Sequence, residues 1–238
     1  MPQKYVPTDA QLIKMAAEAI RNATNKQDSA VKVLDAGGDP STAFAVAALG
    51  MEELGKSIVC STLFSYVPEA RAKAAAPMLG NHEIKMFYAA ATIRLFVDET
   101  DLPDDPDALF AQITAVATVT NDEKFRSLYV DADADGVSVR IPNATVADAR
   151  ALVDLLGHAI SALTEKGLTL TGEEDPADFR AFMDHLNDNR AQAEQLIDAD
   201  PVGAFDGLKA MTRGEAAPEW LINMAPPEIA EQMRQDAS

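Results

Sequence analysis

Two short polar segments carry the residues best suited to chemistry. The first, Glu52-Glu53-Leu54-Gly55-Lys56, interrupts an apolar run that starts at Ala45. On a helix, Glu52 and Lys56 share a face at a spacing of four, and Glu53 and Lys56 at a spacing of three. Gly55 inside such a helix costs about 1 kcal/mol relative to alanine. A cost of that kind marks a close approach by another helix or a ligand. The second segment, Asn81-His82-Glu83-Ile84-Lys85, puts His82 and Lys85 on one face near a helix start. A histidine titrating near neutrality beside a fixed cation suits a general base with a phosphate clamp. On spacing alone each segment also has a plainer reading. The first is then a surface ion pair with a small packing residue, and the second a helix cap with a polar first turn.

The elements that position these residues read as helices. Thr8 caps the first, with Gln11 completing a capping box, and Leu12, Ala16, Ala19, Ile20 and Ala23 recur at helical spacing as far as a stop at Gly37-Gly38. Asp39-Pro40-Ser41 opens a second helix that runs to about Tyr66, where Pro68 ends it. A short helix from Glu69 to Leu79 stops at Gly80. Asn81 caps the next, which extends to about Asp98. The Pro- and Asp-rich stretch from Asp101 to Asp107 is a loop, and a helix is expected from there to Thr120. The period then changes to alternation, with Leu128, Val130, Ala132 and Val137, Val139, Ile141 flanking Asp135-Gly136, the signal of a hairpin near 128–141. A long amphipathic helix follows from Thr145 to Lys166, capped by Gly167, with Ala147, Ala151, Leu155 and Ala159 forming a second apolar stripe. The acidic stretch Thr171 to Pro176 is the expected boundary. The fold class is therefore mainly all-α: a helical bundle over 8–170 with one short β-hairpin, and a C-terminal helical extension over 171–238. That extension holds a helix to Ile197, another from Pro201 to Met211, and a short Pro-rich end.

Bulk composition narrows the function classes. The chain has 238 residues and a net charge of −18, which repels nucleic-acid phosphates at long range, so any RNA contact must use a local cationic cluster. Lys124 and Arg126, in Lys124-Phe125-Arg126-Ser127-Leu128-Tyr129-Val130-Asp131, add such local charge. A single cysteine, Cys60, excludes an intramolecular disulfide, fits a reducing compartment and reads as a small core residue. Residues Met1 to Ala10 have no signal-peptide core, and no apolar run reaches the ~18 residues of a membrane span, so a cytoplasmic location with no membrane contact is expected. Asp131-x-Asp133-x-Asp135-Gly136 imitates the start of a calcium loop, but Pro142 stands where the loop needs its closing glutamate, so no metal or cofactor is expected. Trp220 reads as a packing anchor.

The order of these motifs resembles the AbiV-type abortive-infection family of bacterial phage defence. The shared pattern is an Ala-rich helix ending in Glu52-Glu53-Leu54-Gly55-Lys56, then His82-x-x-Lys85, then Arg126-x-Leu128-Tyr129-Val130-Asp131 before a Pro-closed turn and a long helix. Arg21-Asn22-Ala23 and Asp35 fit the family's first helix. The resemblance covers Ala16 to Lys166 and implies a helical protein of the HEPN superfamily, many of whose members are metal-independent ribonucleases. It implies catalytic roles for Glu52, Glu53, Lys56, His82 and Lys85, and RNA or partner contacts for Arg126, Tyr129 and Asp131. In that reading His82 is the base on a ribose hydroxyl, Lys85 and Lys56 stabilise phosphate charge, and Glu52 and Glu53 orient them. The superfamily's ribonucleases also carry an Arg, then four to six intervening residues, then a His. Arg150 and His158 are too far apart for this pattern, whereas Arg180 and His185 fit it but lie outside the resembling region. The implied function is growth or translation arrest of the infected cell, by RNA cleavage or, alternatively, by contact without turnover. The implied partners are a second copy of the chain, a phage protein trigger, and RNA or the translation machinery.

Overall fold

The computed structural model describes residues 6–97, 102–129, 131–132, 139–140, 142–165, 167–212, 215–225 and 227–236. It is a mainly α-helical bundle protein that divides into two compact units, one of residues 1–97 and 112–173 and one of residues 98–111 and 174–238.

In the first unit, α1 (Asp9–Asp35) starts where local chemistry requires. The Gln11 amide donates to the Thr8 hydroxyl at 3.3 Å and the Thr8 amide donates to the Gln11 side chain at 2.9 Å. It stops at Gly37, whose φ of 69° is the left-handed conformation that glycine adopts without strain. In α2 (Pro40–Ser65), Asp39 accepts from the amides of Ser41 and Thr42 with proline in the first turn. This helix is central, packing against α1, α4 (His82–Phe96) and α6 (Val146–Glu165). Its alanines at 43, 45, 47 and 48 are fully buried, and side chains that small let three helices surround it. Between α2 and α4 runs α3 (Pro68–Gly80), which includes Pro68 and carries Pro77 internally. Its Arg71 is buried, donating to the carbonyls of Leu63, Phe64, Tyr66 and Pro7 and to the Asp9 carboxylate at 2.6 Å, so it ties the start of α1 to the end of α2. Cys60 is buried in α2, and burial pushes its thiol up to about 11.

The structure departs from the sequence reading after residue 120. Helix α5 (Pro106–Leu128) does not end at Thr120 but continues for two more turns. The expected hairpin is not supported in its stated extent, because Leu128 belongs to α5. What is described is a two-residue antiparallel pairing of β1 (Asp131–Ala132) with β2 (Val139–Arg140), and the Asp135-Gly136 turn lies outside the described residues. Helix α6 opens on Thr145, which exchanges hydrogen bonds with Asp148, and closes before Gly167 at φ 66°.

The second unit contains the first residues of α5 with α7 (Pro176–Ala199), α8 (Pro201–Thr212), α9 (Glu219–Met224) and α10 (Pro227–Asp236). The last two correct the expectation of a Pro-rich end: Pro218 and Pro227 stand at helix starts, where proline is compatible with the helix. Lys209 is bonded to Asp104 at 2.7 Å and Asp206 at 2.8 Å, joining α8 to the segment ahead of α5.

Candidate functional site

Three helices of the first unit converge on one carboxylate. Glu52 sits in the middle of α2 with its side chain 6% exposed. From α4, His82 Nδ1 lies 2.7 Å from its Oε2 and Lys85 Nζ lies 3.7 Å from the same oxygen. From α5, the buried ammonium of Lys124 donates to Glu52 Oε1 and, at 3.1 Å, to Asn121 Oδ1.

Local chemistry sets this geometry. Asn81 caps α4 by accepting from the Glu83 and Ile84 amides at 2.8 and 3.3 Å, which places His82 and Lys85 in the helix's opening turn. Gly55 lets that turn come close. A Cβ there would overlap the Lys85 carbonyl oxygen and sit 2.6 Å from the Lys85 carbonyl carbon and 3.1 Å from the Ala89 nitrogen. The cost of a mid-helix glycine is thus offset by direct backbone contact between α2 and α4.

Burial pushes the Glu52 carboxyl up, but hydrogen bonds from Lys124 and His82 and their charges outweigh it, leaving the group below its ordinary value of 4.5. A lowered folded-state pKa stabilises the fold above the unfolded value and is lost as pH falls through the folded one. The melting temperature is therefore expected to drop as pH is taken below about 4.5. Glu52→Gln should flatten that part of a pH–melting series, and an unchanged slope would remove Glu52 from the linkage.

An ionised carboxylate only accepts hydrogen bonds. The 2.7 Å contact therefore requires the proton on Nδ1 of His82. In the neutral ring Nε2 is then the free acceptor, on a side chain that is 54% exposed. Phe125 meets the His82 ring edge-on at 6.4 Å, and Lys124 Nζ lies 4.2 Å from the Phe125 ring centroid. This constellation can take a proton at Nε2 and hold a negative group near Lys85.

A family model for AbiV, of HEPN type, matches residues 11–161, well over half of the chain and all of this cluster. The chain belongs to the AbiV family. Membership places it among the abortive-infection defence proteins. Neither the curated proteins nor the solved structures gave a match. Among the described residues no helix is long and apolar enough to cross a membrane.

The AbiV cluster differs from the sequence expectation in membership. Glu53 and Lys56 do not join Glu52. They pair with each other at 3.4 Å and line a groove of about 550 Å³ against α1, together with Arg21 and Asn22. Neighbouring helix residues point about 100° apart, so adjacent glutamates face different partners. Arg126 pairs with Glu123 at 2.5 Å on the exposed side of α5, and Tyr129 is 59% exposed just beyond it. Asp131 lies in β1. Arg180 and His185 belong to α7 in the second unit, where Arg180 lies 3.8 Å from Asp184 and His185 Nε2 contacts the Ala225 carbonyl at 3.1 Å. Lys124 and Asn121 are the members the sequence reading missed as site residues.

Proposed function

We propose that this AbiV-family protein arrests the infected cell by cutting RNA in the cytoplasm, with His82 as general base. The observation that carries this reading is the 2.7 Å bond from His82 Nδ1 to buried Glu52, which leaves Nε2 as the acceptor on a half-exposed side chain. Nε2 takes the proton of a ribose 2′-hydroxyl, and the 2′ oxygen attacks the adjacent phosphorus. The bond from phosphorus to the 5′ oxygen breaks, and that oxygen leaves with a proton from solvent. Lys85 stabilises charge developing on the phosphoryl oxygens, while Glu52 and Lys124 act as positioning residues. The products carry 2′,3′-cyclic phosphate and 5′-hydroxyl ends. Incubating the purified protein with total RNA and labelling the new ends tests this. Cyclic phosphate ends are expected, and intact RNA at enzyme excess would count against cleavage.

A second reading is favoured by the same carboxylate. Lys85 and Lys124 are only 12% and 2% exposed and both approach Glu52, as a structural tie of three helices would. The −18 charge also opposes RNA approach. The protein then senses a phage protein, or blocks translation, by contact alone.

A homodimer fits either reading. Ala147 and Ala151 on α6 are exposed, and Ala151 lines a groove with Phe44, Val119 and Leu155. Val119 and Val146 are each 60% exposed, an apolar strip for a second copy to cover. Ala159 of the expected stripe is instead buried in the core. Light scattering at moderate salt is expected to give twice the 25.4 kDa chain mass. A persistent monomer when salt screens the repulsion would reject the dimer.

A further inference from the structure

The last turns of α5 invert the usual distribution of side chains, after Leu109, Ile113 and Ala117 have kept the ordinary apolar inner face. Lys124 is 2% exposed and Asn121 and Ser127 are buried, whereas Phe125 is 42% and Tyr129 59% exposed. A buried charge and exposed aromatics are the informative exceptions to burial patterns. The inward lysine is accounted for by Glu52. The outward rings lie near-parallel, 6.5 Å between centroids with planes 20° apart, and the Tyr129 amide donates to the Phe125 carbonyl at 3.1 Å. The Lys124 ammonium lies over the Phe125 ring, the His82 ring meets its edge and Tyr129 stacks beside it. The row of rings therefore begins at His82 and ends on Tyr129.

We propose that Tyr129, backed by Phe125, is a stacking platform for an unpaired nucleobase of a single-stranded RNA whose scissile phosphate lies at His82. The proposal rests on the RNA-cleavage reading and adds the strandedness of the substrate and the residue that selects it. A base inside a duplex has no free face to offer, so the platform discriminates against double-stranded RNA. Stacking uses the π-face of any base, so it adds affinity that does not come from charge on a chain of −18. It also predicts modest salt dependence, because few phosphates are neutralised.

The test uses the full chain and a 2′-O-methyl RNA tetranucleotide carrying 2-aminopurine, which cannot be cleaved because its 2′ oxygens are blocked. Binding is read from quenching of the 2-aminopurine as it stacks, with cleavage of ordinary RNA assayed in parallel. Tyr129→Ala should weaken binding about tenfold, the usual scale of one lost base–aromatic stack, and Tyr129→Phe should retain it. Duplex RNA should compete poorly. If the oligonucleotide binds and RNA is cut but Tyr129→Ala changes neither affinity nor quenching, the platform is overturned and the cleavage reading stands. If RNA is neither bound nor cut, both fall and the exposed rings become a protein-contact patch.

Discussion

Glu52→Ala should remove a large share of the stability of the first unit. The substitution leaves the Lys124 ammonium, 2% exposed, without its carboxylate and strips Lys85 of the same partner. Removing one partner of a buried ion pair costs about 3–5 kcal/mol, because the remaining charge stays desolvated. A domain stable by about 5–15 kcal/mol cannot absorb that without a clear fall in its urea midpoint. Glu52→Gln should cost less, since an amide still accepts hydrogen bonds. Combining Glu52→Ala with Lys124→Met should recover part of the loss, giving a non-additive double-mutant cycle. A fall of under about 1 kcal/mol for Glu52→Ala would mean that the lysines do not depend on this carboxylate.

Gly55→Ala should be almost as severe, although helix propensity points the other way. Alanine is favoured over glycine within a helix by about 1 kcal/mol. Against that gain, the added methyl overlaps the Lys85 carbonyl and approaches the Ala89 nitrogen to 3.1 Å. Those are backbone atoms, so no rotamer change relieves the contact and α4 must move away from α2. Overpacking of this kind costs about 1–3 kcal/mol or more, and the balance is a net loss. The displacement carries His82 and Lys85 with it and lengthens the 2.7 Å contact to Glu52. Chemical denaturation gives the stability, and any RNA cleavage should fall in step, because about 1 Å of misplacement costs on the order of a hundredfold in rate. An unchanged denaturation midpoint would show that the two helices are not in direct backbone contact at this point.

The sequence disclosed most where the physics is local. The capping box at Thr8 and Gln11, the caps at Asp39 and Asn81, and the stops at Gly37 and Gly167 are matters of a few neighbouring residues, and the helix boundaries beside them were readable. Gly55 was legible as an anomaly, though not as a contact with Lys85. The end of α5 was hidden for a specific reason. Helical period is recognised by apolar residues on the inner face, but the inner positions here are Asn121, Lys124 and Ser127. With aromatics outward and a lysine inward, the last turns of that helix carry no apolar stripe. The same inversion hid Lys124 as a partner of Glu52. The split between Glu52 and Glu53 was illegible for another reason: spacing shows which residues share a face, but not which neighbour that face meets. Helices α9 and α10 were obscured by the prolines at 218 and 227, which read as breaks although each stands at a helix start.

The central claim, that the Glu52 cluster is a chemical site and not only a tie between helices, is tested most directly at His82. This side chain is half exposed, whereas the rest of the cluster is nearly enclosed, so its removal separates chemistry from folding. The measurement is RNA cleavage by His82→Ala beside the unaltered protein, with both melting curves recorded. Cleavage with cyclic phosphate ends by the unaltered protein, lost in a variant whose melting temperature is nearly unchanged, is the expected result. Equal cleavage by the two proteins would contradict the account.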